Sequence, residues 1–230
     1  MKLDGEWRRI LNKLRTLAAA LLVTLLAALF SVETAPVAAD GKLTIVVDPG
    51  HGGEDGGAVS SDGVQEAGLN LAVAKLLKAE LAELGMEVIM TREDENALAA
   101  SKKADMAARR SIMNQSGVDC VVSIHMNKFT DCSVHGPMAF YMEGSAEGEK
   151  LAKEVIDSVT AAIGAPTRLA NPGDYYVIRE SEPVAVLVEC GFLSNSEDVK
   201  LLTDPLHQKT LAKAVAQGVH NYFSGVNVLD

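Results

Sequence analysis

Apolar residues in this chain alternate between short continuous runs and stretches with a three- to four-residue repeat. Short, mostly apolar runs over residues 43–47, 86–90 and 119–124 predict strands. Between them, the three- and four-residue steps over 64–84 predict an amphipathic helix, and residues 102–116 are predicted to form a second helix. Strands that alternate with helices in this way predict a three-layer α/β domain.

The alternation continues in the second half of the chain. Three further short apolar runs predict strands, at 137–142, 175–178 and 184–188. Two more amphipathic stretches, 147–163 and 206–223, predict helices, and residues 164–174, which are rich in proline and glycine, predict a loop. No internal repeat or linker divides this region, so we expect one domain over residues 40–230.

The first 39 residues have a different composition. A basic stretch over residues 1–15 precedes an uncharged apolar run at 17–32, and small residues follow at 37–39. This order is typical of a secretory signal peptide, and the apolar run is close to the length of a membrane span. We therefore predict export across the cytoplasmic membrane, with residues 1–39 acting as a cleaved signal or as an N-terminal membrane anchor.

Charge and cysteine content narrow the class of protein. The chain has a net charge of −10, and residues 40–230 alone carry 28 acidic against 16 basic side chains. Such an acidic domain, with no basic stripe, argues against nucleic-acid binding. The three cysteines, Cys120, Cys132 and Cys190, do not indicate a disulfide framework, and we expect Cys120 and Cys190 to be buried thiols.

Four chemically active side chains fall at predicted element ends. His51 follows the first strand in a glycine-rich loop, Glu66 opens the next helix, and His125 and Glu189 follow two later strands. Ligands bind at the carboxyl ends of strands in open α/β sheets, so these groups are candidates for one site. Two histidines and a carboxylate form a common catalytic zinc shell, and a further carboxylate, Glu189, can transfer the proton of the attacking water.

The spacing alone leaves structural alternatives open. Glu66 could simply favour the first turn of a helix, His125 could be an ordinary polar residue at a strand end, and Glu189 could be a buried carboxylate with an ion-pair partner. Glu54 and Asp55 are rival carboxylates, which we rank below Glu66 because they lie in the loop rather than on a helix.

Five motifs follow one another along the chain. They are DPGHGG at 48–53, the glutamate in QEAGLNLAVA at 65–74, TR at 91–92, SIHMN at 123–127 and VLVECGFLSN at 186–195. In order and spacing, over nearly all of residues 42–223, they resemble the zinc-dependent N-acetylmuramoyl-L-alanine amidases of the amidase_3 family. Met126 and Cys190 depart from the usual family residues beside the proposed site, which puts fine substrate preference in doubt rather than the chemistry.

The resemblance implies a fold, a site and a reaction. It implies a mixed sheet of about six strands flanked by helices, with His51, Glu66 and His125 as ligands of one Zn²⁺ and Glu189 as the catalytic glutamate. The reaction would be hydrolysis of the peptidoglycan amide between N-acetylmuramic acid and L-alanine. An exported catalytic domain without a wall-binding repeat is similar to the CwlD-type amidases of spore-forming bacteria, which act on cortex peptidoglycan, and this places the protein in the cell wall or the forespore intermembrane space.

Four other residues carry weaker expectations. Asn127 and Arg168 are candidates for substrate binding, Arg109 for a buried ion pair, and Asp48 for accepting an imidazole N–H. Peptidoglycan is the expected partner, and we expect a monomer, with a need for an accessory protein left open. The alternatives to an amidase are a zinc peptidase or deacetylase with the same ligands, and a non-catalytic wall-binding module.

Overall fold

Strands and helices alternate along the computed structural model, which describes residues 41–165 and 168–225. The strands are β1 (Thr44–Pro49), β2 (Glu87–Met90), β3 (Cys120–Asn127), β4 (Met138–Met142), β5 (Asn171–Gly173) and β6 (Val184–Phe192). The helices are α1 (Glu66–Glu83), α2 (Lys102–Met113), α3 (Ala146–Ile163), α4 (Tyr176–Arg179), α5 (Ser196–Leu202) and α6 (Pro205–Ser224).

Six strands of the described region form one mixed sheet in the order β2-β1-β3-β6-β4-β5. The neighbouring strands β2, β1, β3 and β6 pair in parallel. Strand β4 runs antiparallel to β6, and β5 is parallel to β4. The implied mixed six-stranded sheet is therefore confirmed. Because β1, β3 and β6 are adjacent and parallel, their carboxyl ends meet at one edge of the sheet.

Both faces of the sheet are covered, as the predicted three-layer α/β class requires. Ile45 and Val47 of β1 point to a core that includes residues of α1, α3 and α6. Val46, between them, points to a smaller core with Met113 of α2 and Val177 of α4. Successive side chains of a strand point to opposite faces, so one apolar run serves both layers.

The smaller layer is the one on which the candidate site lies. Two-residue alternation from Val46 puts Asp48 on this face, and alternation from Val121 and Leu187 does the same for His125 and Glu189. On this face Val46, Val121 and Leu187 therefore precede Asp48, His125 and Glu189, so the polar site residues lie towards the carboxyl ends of β1, β3 and β6.

The structure corrects several predicted elements in the second half of the chain. The predicted strand at 175–178 is wrong, since Tyr176–Arg179 is one turn of helix that buries Val177 and Ile178. A short apolar run does not by itself distinguish these two structures. The predicted loop at 164–174 instead contains β5, whose Asn171–Gly173 pairs with β4. Pro172 is tolerated there because β5 is an edge strand.

Two other differences concern strand ends, and one helix was not predicted. Strands β3 and β6 extend to Asn127 and Phe192. His125 and Glu189 therefore lie inside the carboxyl-terminal parts of these strands rather than after them. Helix α5 was not predicted from the apolar pattern. It is capped by Asn195, whose side chain accepts hydrogen bonds from the backbone N–H groups of its first turn.

The cysteines and the search for membrane spans complete the description of the fold. Cys120 and Cys190 are buried thiols, as predicted, and Cys132 is an exposed thiol. Within residues 41–165 and 168–225, no helix is both long and apolar enough to span a bilayer. The predicted signal or anchor, with its apolar run at 17–32 and its boundary at residue 39, lies outside the described residues.

Candidate active site

His51 occupies a strained position just after β1. Its φ of 62° lies in the left-handed region that non-glycine residues rarely adopt. The backbone on both sides of it is held in place, because Gly50 donates to the Ile124 carbonyl at 3.0 Å and Arg109 donates to the carbonyl oxygen of His51. Such strain persists only where surrounding contacts enforce it, and it is typical of functional sites.

Two buried arginines organise this loop from beneath. Arg92 donates to the carbonyls of Pro49, Gly50 and Ala67 at 2.9–3.0 Å, which ties the loop to the first turn of α1. Arg109, only 1% exposed, donates to the Pro49 carbonyl at 2.8 Å. The loop carbonyls therefore have cationic donors in place of water.

Asp48 takes part in this buried network rather than contacting an imidazole. Its carboxylate accepts from Arg109 at 2.7 Å, Thr91 at 2.6 Å and Ser123 at 2.8 Å. Burial works against its charged form, but Arg109 and the two hydroxyls outweigh burial and hold the pKa of Asp48 below its usual value. The predicted buried ion pair of Arg109 is confirmed, whereas the prediction that Asp48 accepts an imidazole N–H is wrong.

The structure brings His51, Glu66 and His125 together as the candidate metal triad. Nε2 of His51 lies 3.2 Å from Oε2 of Glu66, and Nδ1 of His125 lies 2.8 Å from Oε1 of the same carboxylate. The two imidazole rings pack edge to face with centroids 5.1 Å apart. One potential ligand atom from each residue falls within 4.8 Å of the other two, so this cluster could hold a metal ion.

Glu66 is the fixed centre of the triad. It is 4% exposed and accepts hydrogen bonds from the Ala58 N–H at 2.8 Å, the Met126 N–H at 3.2 Å and the Asn70 side chain at 3.1 Å. Burial raises the pKa of this carboxyl, but hydrogen bonds and charges of the two histidines lower it by more, so its pKa lies well below the usual value. Glu66 is therefore ionised and preorganised.

The surroundings of the triad fit a metal ion of the zinc type. Two imidazole nitrogens and one carboxylate oxygen are the donor set of many catalytic zinc sites, which leave the fourth position open. Two glycines allow the close packing. A Cβ on Gly50 would lie 2.1 Å from the His125 ring, and one on Gly57, where φ is +68°, would lie 2.5 Å from Oε2 of Glu66. Any side chain at these two positions would displace a triad residue.

Glu189 lies beside the triad on the neighbouring strand. It is in register with His125 in the parallel β3–β6 pair, so both side chains project from the same face. The residue is 7% exposed, and its Oε2 is buried without a hydrogen-bond partner. Burial and the negative charge of Glu66 outweigh the histidines and raise its pKa to about 7. A carboxylate with this pKa can both accept and return a proton near neutral pH.

Two cavities adjoin the triad. One has a volume of about 590 Å³ and is bounded by the loop around Asn96 and by Lys102 at the start of α2. The other, of about 160 Å³, has a more apolar wall that includes Met106, Tyr175 and Leu187. His51, Asp55 and Lys102 border both cavities, so the two adjoin each other beside the triad.

The two candidate substrate-binding residues make local contacts instead. Asn127 accepts from the neighbouring Lys128 N–H at 2.8 Å, and Arg168 donates to the His135 carbonyl at 2.6 Å. Neither residue borders the two cavities beside the triad. Their roles in substrate binding stay predictions.

Two residues of the site were missed by the sequence analysis, and a third was ranked too low. Arg92 and Asn70 were not assigned roles, although a buried Asn beside the apolar stripe of α1, one turn after Glu66, was a usable signal. Asp55 was considered only as a rival ligand. In the structure its Oδ1 lies 3.0 Å from Nδ1 of His51, on the side of the ring away from Glu66.

Comparison with known proteins decides the family. The family described as N-acetylmuramoyl-L-alanine amidase, Amidase_3, matches residues 45–221. The chain belongs to this amidase family. Since the matched region contains the triad and Glu189, the prediction of an N-acetylmuramoyl-L-alanine amidase is confirmed.

Individual relatives agree with this family and with the CwlD-type resemblance. The germination-specific N-acetylmuramoyl-L-alanine amidase of Bacillus subtilis is 36% identical over 194 residues, covering 80% of this chain and 81% of the relative. The CwlD amidase of Clostridioides difficile, solved in complex with the GerS lipoprotein, is 32% identical with a TM-score of 0.76, covering 80% of this chain and all of that one. AmiC2 of Nostoc punctiforme is 28% identical with a TM-score of 0.70, over 80% and 98%.

Proposed function

We propose that this amidase is zinc-dependent, with His51, Glu66 and His125 as the zinc ligands and Glu189 as the catalytic base. The observation that carries the proposal is the juxtaposition of a His-Glu-His cluster with a buried carboxylate that has no hydrogen-bond partner on Oε2. A zinc ion held by this cluster supplies Lewis-acid polarisation of the scissile carbonyl and lowers the pKa of the attacking water.

The protein's own residues account for the proton transfers. Ionised Glu189 accepts a proton as a water oxygen attacks the lactyl carbonyl carbon of N-acetylmuramic acid. It then donates that proton to the alanine nitrogen as the C–N bond breaks, which leaves a lactyl carboxylate and a free amino terminus. Burial gives Glu189 the raised pKa that suits both steps, and Glu66 stays ionised because its charge is compensated.

The two cavities that His51 borders support a site for an extended substrate. Glycan and peptide leave the scissile amide in opposite directions, so a site for this reaction needs space for both. The adjoining 590 Å³ and 160 Å³ cavities offer such space. Lys102 borders both cavities, whereas Asn96 borders the larger one and Tyr175 and Leu187 border the smaller one.

We further propose that the biological substrate is spore-cortex peptidoglycan. Support comes from the similarity to the germination-specific amidase of Bacillus subtilis and to the CwlD amidase of Clostridioides difficile. The structure of the latter contains a lipoprotein, which favours an accessory partner for this chain as well. Export through residues 1–39, as a signal or membrane anchor, would put the enzyme on the side of the membrane where this substrate is made into wall.

The test uses the protein from Asp40 onward, incubated with purified vegetative or cortex peptidoglycan, with and without a chelator. We expect peptides that begin at L-alanine, lost with chelator and restored by zinc, as identified by mass spectrometry. Peptides cut elsewhere would indicate a peptidase, and release of acetate would indicate a deacetylase. Zinc binding with no product from either wall, even with a partner lipoprotein added, would contradict catalysis and favour a wall-binding role.

A further inference from the structure

We propose that Asp55 is a positioning residue that fixes the imidazole of His51 through its Nδ1. This inference rests on the proposed function, since His51 is taken as a metal ligand. Asp55 Oδ1 lies 3.0 Å from His51 Nδ1, whereas Nε2 on the opposite edge of the ring faces Glu66 at 3.2 Å. The carboxylate of Asp55 is therefore behind the imidazole and not among the atoms that converge on the metal position.

The loop is built to present Asp55 in this way. The backbones of Gly52 and Asp55 bond to each other in both directions, at 2.9 Å and 3.2 Å, so the chain reverses within four residues and returns the carboxylate to His51. The Gly57 N–H also donates to Oδ1, at 3.2 Å. Lys102 occupies the other oxygen at 3.1 Å, which leaves Oδ1 aimed at the imidazole.

A carboxylate at this position has a defined chemical effect. A neutral imidazole carries its proton on either nitrogen, and the hydrogen bond of one nitrogen decides which tautomer prevails. With Nδ1–H donated to Asp55, the lone pair of His51 is on Nε2, facing Glu66 and the metal position. The same contact fixes the ring orientation and increases the basicity of Nε2. Arg109 holds only the backbone of His51, through its carbonyl oxygen. The hydrogen bond to Asp55 therefore restrains the imidazole ring itself.

The same geometry gives Lys102 a smaller role. Its ammonium pairs with Asp55, but the Lys102 side chain is 74% exposed. Exposed ion pairs contribute little to stability. We therefore expect Lys102 to affect the metal only weakly, through the orientation of the Asp55 carboxylate. Glu54, the neighbouring acidic residue, is exposed and borders the same cavity, so it is a matched control for loss of nearby negative charge.

The experiment compares the Asp55→Ala, Asp55→Asn and Glu54→Ala variants in the full chain. Zinc affinity is measured by competition with a chromophoric chelator, and the His51 ring by ¹⁵N NMR of the zinc-loaded protein. We expect Asp55→Ala to weaken zinc binding about 10- to 100-fold, since partners of metal-bound histidines have effects of this size. Asp55→Asn, which keeps an acceptor oxygen without the charge, should fall between, and Glu54→Ala should match the parent.

NMR separates positioning from a general loss of loop structure. The Nδ1 proton of His51 should resonate far downfield in the parent and move upfield in Asp55→Asn, which retains an acceptor for Gly57. Parent-like zinc affinity and an unchanged His51 signal in both Asp55 variants would overturn the inference while leaving the amidase proposal intact. Conversely, the Asp55 variants could bind zinc more weakly than a parent protein that itself never cleaves peptidoglycan. That result would uphold the role of Asp55 and refute the proposed function. Should Asp55→Ala fail to fold, the inference is tested by the His51 Nδ1 proton signal and the zinc affinity of Asp55→Asn.

Discussion

Replacing Glu189 by glutamine should remove activity and at the same time stabilise the metal-free protein above neutral pH. The carboxylate is 7% exposed and lacks a partner for Oε2, and its pKa is about 7 rather than the ordinary 4.5. A raised carboxyl pKa means that the folded state binds the proton more tightly than the unfolded chain does. Stability from this group is therefore complete below about pH 4.5 and declines as the pH rises through 7.

The size of the effect follows from the shift in pKa. The rise of this pKa from 4.5 to about 7 corresponds to roughly 3 kcal/mol of folding free energy once Glu189 is ionised. Glutamine has nearly the same shape and stays neutral, so it avoids this loss. For a domain of this size, roughly 3 kcal/mol raises Tm by about 6–12 °C. The advantage of the variant should be near zero at pH 4.5 and should approach its full size at pH 8.

Thermal unfolding in excess chelator, from pH 4.5 to 8, measures this difference directly. Glu182→Gln is the matched control, because Glu182 is exposed and the same chemical change there should give no pH-dependent gain. Turnover of Glu189→Gln with zinc should fall by about 10²- to 10⁴-fold, as for loss of a general acid–base group. A Tm difference that does not change with pH, or a less stable variant at pH 8, would refute the inference that burial destabilises the ionised form of Glu189.

Three further predictions concern the metal triad and its support. His125→Ala should lose bound zinc, measured by elemental analysis, and all turnover, whereas full zinc occupancy would contradict its role as a ligand. Arg109→Met leaves Asp48 buried without its main cation, so urea unfolding should show a loss of about 3–5 kcal/mol, and a loss below 1 kcal/mol would contradict the buried pair. Gly57→Ala should weaken zinc binding by displacing the triad carboxylate, while Gly63→Ala, with a similar φ of +84° but nothing within 4 Å of the new Cβ, should only lower Tm.

The parts of the site that could be predicted from sequence are those set by strand order. His125 and Glu189 follow apolar runs that had to be buried strands, and parallel neighbours bring their carboxyl ends together. His51 follows the adjacent strand, and Glu66 opens the helix that returns from it. Two-residue alternation then fixes the face for His125 and Glu189, so these four side chains converge although they come from distant parts of the sequence.

The parts that could not be predicted depend on loop geometry. Asp48 and Asp55 are both close to His51 in sequence, and only the reversal of the chain at Gly52 brings Asp55 onto the imidazole. Alternation places Asp48 on the sheet face that α2 covers, where Arg109 of α2 pairs with it. The strand predicted at 175–178 is wrong for another reason. One helical turn buries Val177 and Ile178 as well as a strand would.

The distribution of hydrogen bonds around the site distinguishes support from chemistry. Asp48 and Glu66 are both buried, and donors engage each of their carboxylates from several directions, so burial does not prevent their ionisation. Glu189 is buried to a similar extent but lacks such donors on Oε2. The protein thus stabilises two charges that must stay fixed and leaves destabilised the one that must change during the reaction. An added donor near Glu189 would make the fold more stable and the base weaker, which is why the most stable arrangement of this site is not the active one.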